Sequence, residues 1–181
     1  ASHAIGGKYL NESIGNCKYS DITVFSFHPV KIITTGEGGM ALTNSSKLAK
    51  HMSLLSSHGI TRDPGQMTHE ADGEWYYQQV DLGFNYRMTD MQAAVGSAQM
   101  EKIESFIDKR KKNFKKMYEL FKTLEDYIYL PEWHSLAEPS WFGFPITLRS
   151  DNPDERTKLL NYYEEKKIGN RLLFGGNITK Q

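Results

Sequence analysis

Apolar and polar positions follow two different periods along this chain. The β-branched run Asp21-Ile-Thr-Val24 leads into Phe25-Ser26-Phe27 and reads as the end of a buried strand, and Met40-Ala-Leu-Thr43 reads as another. Residues 8–19 are polar, with turn residues Asn11, Gly15 and Asn16, and predict a loop or hairpin. From residue 44 the period becomes helical. Asn44-Ser-Ser46 can cap a helix through residue 57 with Leu48, Met52, Leu54 and Leu55 on its apolar face. Gly59 ends it as a C-terminal cap, where His58 can serve as a charge partner for the helix. Residues 61–80, with Pro64, Gly65 and Gly73, are irregular, and loops this long in compact domains are functional or disordered. Trp75-Tyr76-Tyr77 argues for order through burial of the rings, so a lid or a subunit-contact loop is expected.

Thr89-x-x-Gln92 is a capping box that opens the longest helix. Its apolar stripe runs unbroken through Ala94, Val95, Ala98, Ile103, Phe106, Ile107, Phe114, Tyr118 and Phe121, with Met91 and Met117 extending it. Small residues at 93–98 would let a neighbouring helix approach closely. The basic run Lys109-Arg-Lys-Lys112 reads as a solvated helix face, because no aromatic interleaving or nucleic-acid motif accompanies it. Residues 141–148 are a strand candidate interrupted by Pro145, hence an edge or bulge. Asn152-Pro153 starts a helix with proline at its first position, running to about residue 167. Arg171-Leu-Leu-Phe-Gly-Gly-Asn177 is expected to return as a strand and turn.

The length of 181 residues is enough for a domain with a real core. Lys+Arg and Asp+Glu are both 22, so no net charge steers the chain to nucleic acid or membrane. The single cysteine, Cys17, cannot form an internal disulfide, which suits a reducing cytoplasm. No His/Cys/Asp/Glu cluster has metal-ligand spacing. Both ends read as cut, so the chain is expected to be an internal piece of a longer protein.

The chemistry concentrates in Ser26-Phe-His28-Pro-Val-Lys31 and the following Thr34-Thr-Gly-Glu-Gly-Gly39. Pro29 blocks a helix, and the glycines let the backbone turn tightly. A lysine on such a turn is either a plain surface cation or a reactive amine, since burial favours the neutral form that attacks a carbonyl. These residues, with Ser57-His-Gly-Ile-Thr61 and Asp81-Leu-Gly-Phe-Asn-Tyr-Arg-Met88, resemble the sugar aminotransferases of the DegT/StrS type, and the resemblance covers most of the chain. It implies an α/β fold: part of a fold-type I pyridoxal 5'-phosphate (PLP) dependent transferase, a mixed sheet with flanking helices. On that reading residues 1–108 are the C-terminal part of the large PLP-binding domain. Residues 109–181 are a connecting helix and an incomplete small αβ domain.

The same resemblance implies that Lys31 holds PLP as an internal aldimine and that Ser26 binds its phosphate. His3 would pack near the ring and its phenolic oxygen, although a histidine there can equally be exposed. Asn85 would reach across a homodimer interface to the partner's PLP phosphate, although asparagine also favours the turn before a helix. His28 and Arg87 are candidates for substrate contact, and Arg87 can instead meet a carboxylate at the interface. An acid that pairs with the ring nitrogen would lie directly before Ala1.

Two activities compete. Thr61-Arg-Asp-Pro64, Thr68-His-Glu70 and Trp75-Tyr-Tyr-Gln-Gln79 resemble the aminotransferases of pseudaminic acid synthesis, which aminate a nucleotide-linked 4-keto-6-deoxy sugar with glutamate as donor. Ser140-Trp-Phe-Gly-Phe-Pro145 and residues 171–177 resemble the PLP-dependent sugar 3-dehydratases of lipopolysaccharide synthesis, in which histidine replaces the lysine. Lys31 favours transamination. An inactive fragment or dimerising scaffold is the non-enzyme alternative.

Overall fold

The computed structural model describes residues 1–173 and 179. They divide into two compact units, one of residues 1–110 with 136–142 and one of residues 111–135 with 143–181.

In the first unit, strands β1 (Lys8–Tyr9) and β2 (Glu12–Ser13) pair with Tyr9 opposite Glu12. The two residues between them, Leu10 and Asn11, have φ of 51° and 63°. Two left-handed residues in a two-residue loop give a turn that matches strand twist, so the hairpin expected at 8–19 forms. Strands β3 (Thr23–Ser26) and β4 (Gly39–Leu42) run antiparallel with Ser26 opposite Gly39. This pair is not wholly buried as its β-branched run suggests. Phe25 is buried, whereas its neighbour Val24 on the other face is exposed.

Helix α1 (Ser46–Ser56) begins at Ser45, whose side chain accepts from Leu48 N at 3.3 Å. The carbonyls at its end find partners in a later segment: Phe84 N donates to Leu55 O at 2.7 Å and Tyr86 N to Ser56 O at 2.9 Å. The C-cap is Ser57 rather than Gly59; His58 and Gly59 follow it at φ 63° and 66°, Gly59 N donates to Leu54 O at 2.9 Å, and a Cβ on Gly59 would collide with Asp81 O. Strands β5 (Ile60–Thr61) and β6 (Gln78–Gln79) then close the long loop into a hairpin. Its order does not come from ring burial, because Trp75 is 70% exposed. Hydrogen bonds hold it instead: His69 Nε2 to Tyr76 Oη at 2.5 Å, and Gln78 Nε2 to Thr68 Oγ1 at 2.6 Å.

The expected single long helix is two. Helix α2 (Asp90–Met100) starts with the Thr89/Gln92 capping box, and α3 (Ile103–Phe121) follows after a break at residues 101–102. At the break Lys102 N donates to Gln99 O, three residues back, which tightens the backbone out of the α pattern. The stripe is also misplaced in α2. Met91, Val95 and the alanines beside it are exposed, while Gln92, Gly96 and Gln99 face inward. A Cβ on Gly96 would come within 2.8 Å of Thr35 Cγ2, so the small residue admits the lysine loop rather than another helix. In α3 the stripe holds, with Ile107 and Phe114 buried.

The second unit packs Phe114 against Trp133 and Phe144, with ring centroids 5.9 and 5.0 Å apart. Strand β7 (Ile128–Tyr129) pairs with β9 (Thr147–Leu148), while β8 (Ala137–Glu138) belongs to the first unit and pairs there with β1. The strand expected over 141–148 is thus only its last two residues, because Pro145 withholds an N–H from the ladder. Helix α4 (Pro153–Glu165) starts as expected, with Asn152 accepting from Asp154 N at 3.0 Å. Residues 171–173 form no strand, and 174–177 of that expected strand and turn lie outside the described residues.

Candidate active site

The lysine loop, residues 27–38, is a closed and pinned element. Phe27 sits at its base: its N–H donates to Gly38 O at 2.8 Å, and its carbonyl accepts from Thr35 N at 3.0 Å and Thr34 Oγ1 at 2.9 Å. Ile32 and Ile33 are buried with Phe25 and Phe27. Burying the two isoleucines is worth about 1.5–3 kcal/mol each, which exceeds the length-dependent closure cost of such a loop, about 2 kcal/mol. Helix α2 holds the far side, with Gln99 Oε1 accepting from Thr34 N at 3.1 Å and Gln92 Nε2 donating to Glu37 O at 3.3 Å. A side chain mounted here has a defined origin although it stands on a loop.

Lys31, half-buried, directs its amine at the first residues of the chain. Its Nζ lies 2.5 Å from His3 Nε2 and 5.1 Å from the centre of the Phe142 ring. His3 stacks on that ring with centroids 4.0 Å apart and planes 12° from parallel. Burial, then the Lys31 charge, pushes the His3 imidazole below its ordinary value. The ring is therefore neutral at neutral pH, and its Nε2 accepts from the lysine.

Ser26 stands at the end of β3, half-buried, with its Oγ accepting from His28 N at 3.5 Å. His28 itself is exposed. Its Nδ1 accepts from Val30 N at 3.3 Å and its Nε2 lies 3.9 Å from Glu37 Oε1. Asn85 and Arg87 occupy the segment that caps α1. Arg87 Nε donates to Asn85 Oδ1 and its Nη2 reaches His58 Nε2, each at 3.2 Å, while Asn85 bridges Ser57 through the backbone. Both are exposed. The fold thus joins Lys31 to His3 and mounts Ser26 and His28 on the same loop. Asn85 and Arg87 form a separate group around His58.

Two residues with a part in this arrangement received no role from the sequence. Phe142 touches both His3 and Lys31. Arg110, read as part of a solvated basic run, is half-buried and donates from Nη1 to Trp141 O at 3.0 Å and Phe142 O at 3.1 Å. Its place on the α3 stripe, three residues past Ile107 and seven past Ile103, was the available signal. A groove of about 440 Å³ lies elsewhere, among Tyr9, Glu12, Lys18, Tyr19 and Val24. Its lining does not include Lys31, Ser26 or His3.

The donor set fits pyridoxal phosphate: a primary amine for its aldehyde, a hydroxyl for its phosphate and a neutral imidazole beside the amine for its phenolic oxygen. Among the described residues no group of His, Cys, Asp and Glu could hold a metal ion, and no helix is long and apolar enough to cross a membrane.

Comparison with known proteins gives the same direction. The chain is 35% identical to the lipopolysaccharide biosynthesis protein RfbH of Salmonella typhimurium over 194 residues, covering 98% of this chain and 44% of that protein. It is 40% identical to a UDP-4-amino-4,6-dideoxy-N-acetyl-beta-L-altrosamine transaminase of Campylobacter jejuni over 110 residues, covering 61% of this chain and 26% of that protein. The chain thus spans less than half the length of these relatives. Among solved structures, the Helicobacter pylori PseC aminotransferase of pseudoaminic acid biosynthesis superposes with TM-score 0.79 at 27% identity over 92% of this chain and 42% of that one. The E. coli GDP-4-keto-6-deoxy-D-mannose-3-dehydratase with bound hydrated PLP superposes with TM-score 0.81 at 25% identity over 98% and 46%. The sequence profile of the DegT/DnrJ/EryC1/StrS aminotransferases matches residues 1–181, and the chain belongs to that family.

Proposed function

We propose that the chain is the lysine-bearing part of a PLP-dependent aminotransferase acting on a nucleotide-linked 4-keto-6-deoxy sugar in surface-glycan synthesis, with glutamate as amino donor. The observation that carries the reading is the Lys31 amine, pinned on its loop and set 2.5 Å from a neutral His3. Lys31 Nζ would hold the cofactor, and its amine would serve as the base that moves the proton at the reacting carbon. The Ser26 hydroxyl would take the phosphate, and the His3 imidazole would pack near the ring and its phenolic oxygen. The bound cofactor supplies the electron sink for loss of that proton. His28 and Arg87 face the substrate. The first unit corresponds to the large cofactor-binding domain and the second to the start of the small one. The enzyme works in the cytoplasm as a homodimer in which Asn85 completes the partner's phosphate site.

A second reading, sugar 3-dehydration, is favoured by one observation: the structural likeness to the E. coli dehydratase extends over 98% of the chain, against 92% for the Helicobacter aminotransferase. Lys31 weighs against it, because a lysine can both hold the cofactor and shuttle the proton. The deciding experiment incubates the full-length protein with nucleotide 4-keto-6-deoxy sugars and glutamate and reads products by mass spectrometry. An amino sugar with matching 2-oxoglutarate is expected. A product that has lost the C3 hydroxyl, with no amino group gained, would overturn the first reading in favour of the second.

A further inference from the structure

We infer that Phe142 is a positioning residue for the His3–Lys31 pair and that Arg110 fixes it there. The inference rests on the reading of Lys31 as the cofactor-bearing amine. A histidine has two rotatable side-chain bonds, and nothing in its own backbone selects where Nε2 points. The Phe142 ring removes that freedom. It covers one face of the imidazole at 4.0 Å and lies 5.1 Å from the amine, so one aromatic surface contacts both partners of the 2.5 Å pair. A displaced Phe142 would release the imidazole plane and open the lysine amine to water on that side.

Phe142 is itself a loop residue, past the end of β8, so its own position needs a cause. Three constraints converge on its backbone. Arg110 Nη1 donates to the carbonyls of both Trp141 and Phe142. Trp141 is held at φ 50°, a left-handed conformation that a bulky residue adopts only when its surroundings impose it. Ser140 is 2% exposed, and its Oγ finds no hydrogen-bond partner among the described residues, a cost accepted for the placement of this turn. The guanidinium is also partly desolvated, which lowers its pKa, and a charge so placed belongs to a built contact rather than to a solvated face. The Lys31 charge bears on His3 and opposes its protonation.

The test uses Phe142→Leu, Phe142→Trp and Arg110→Lys, each compared with wild type for thermal midpoint. The first readout is the titration of the His3 imidazole by NMR without cofactor. The second is the pH dependence of bound-cofactor absorbance. In Phe142→Leu, loss of the stacked ring returns the His3 titration toward the ordinary value of about 6.5, and the absorbance transition moves with it. Phe142→Trp keeps both at wild type, because an aromatic face is retained. Arg110→Lys moves both in the same direction as Phe142→Leu, because a single ammonium cannot reproduce the fork of donors. It also serves if Phe142→Leu fails to fold. Wild-type titration of His3 in folded Phe142→Leu, or in folded Arg110→Lys should Phe142→Leu fail to fold, overturns the inference. Failure of the cofactor reading is seen separately, since the His3 titration is read without PLP and needs no turnover.

Discussion

At the scale of residues, the proposed chemistry turns on one amine and one imidazole. Lys31→Ala should abolish transamination, and Lys31→Arg should do the same, because a guanidinium keeps the charge but offers no neutral amine. Borohydride reduction of the loaded protein followed by peptide mapping should place a pyridoxyl group on Lys31, and a label on another lysine with Lys31 clean sinks the assignment. His3 sets a pH dependence whose sign follows from its lowered native value. Above about 6.5 the residue is neutral folded or unfolded and contributes nothing. As pH falls below that value the unfolded chain takes up the proton first, so stability drops until the lowered native value is passed. The difference in urea midpoint between wild type and His3→Gln should therefore change across that window and level off on both sides. A difference independent of pH would mean that burial does not act on His3 as its surroundings imply. Lys31 and Ser26 were legible because their loop is local in sequence and its motif is specific. Phe142 and Arg110 were not, because their roles exist only once α3, the turn at 140–142 and the start of the chain meet.

Elements were readable where their signals are local. Thr89 and Gln92 close a capping box, Asn152 caps α4 ahead of Pro153, and Ser45 caps α1, all within one helical turn of the residues they serve. The break between α2 and α3 carries neither glycine nor proline at 101–102, so no breaker announced it. Burial of Gln99 beside Thr34, with Val95 left outside, is a tertiary choice that overrides the apolar stripe. Gly59 offers a test of the close approach between the end of α1 and the segment at 81–86. Gly59→Ala forces a methyl group against Asp81 O from a left-handed backbone. The conformation alone costs about 1–3 kcal/mol, and the collision adds to it. Ser45→Ala, which removes only a cap, should cost about 1 kcal/mol. Urea denaturation of the two variants compares them directly, and a Gly59→Ala loss no larger than that of Ser45→Ala would contradict the tight crossing.

At the scale of the molecule, the pairing of β8 with β1 joins residues far apart in the chain, which no local pattern encodes. The segment that caps α1 carries a second whole-molecule feature. Leu82 is 79% exposed, Phe84 53% and Tyr86 75%, at alternate positions of that segment. Such an exposed apolar band marks an interaction surface, and Asn85 and Arg87 belong to the same segment. In the proposed homodimer the partner's copy covers this band, and Asn85 is carried to the other subunit's phosphate, which gains a neutral amide donor beside the Ser26 hydroxyl. That geometry makes a prediction about mixtures of two dead enzymes. Lys31→Ala leaves Asn85 intact for its partner, and Asn85→Ala leaves Lys31 intact for itself. A two-fold dimer formed from one of each has one site with both residues and one with neither. Random exchange of equal amounts makes half the dimers mixed, so about a quarter of wild-type activity per site should return. Subunit exchange is verified by native mass spectrometry before the assay. Exchange without recovered activity would mean that Asn85 serves its own chain, or only the turn that caps α1, and the shared site would have to be abandoned.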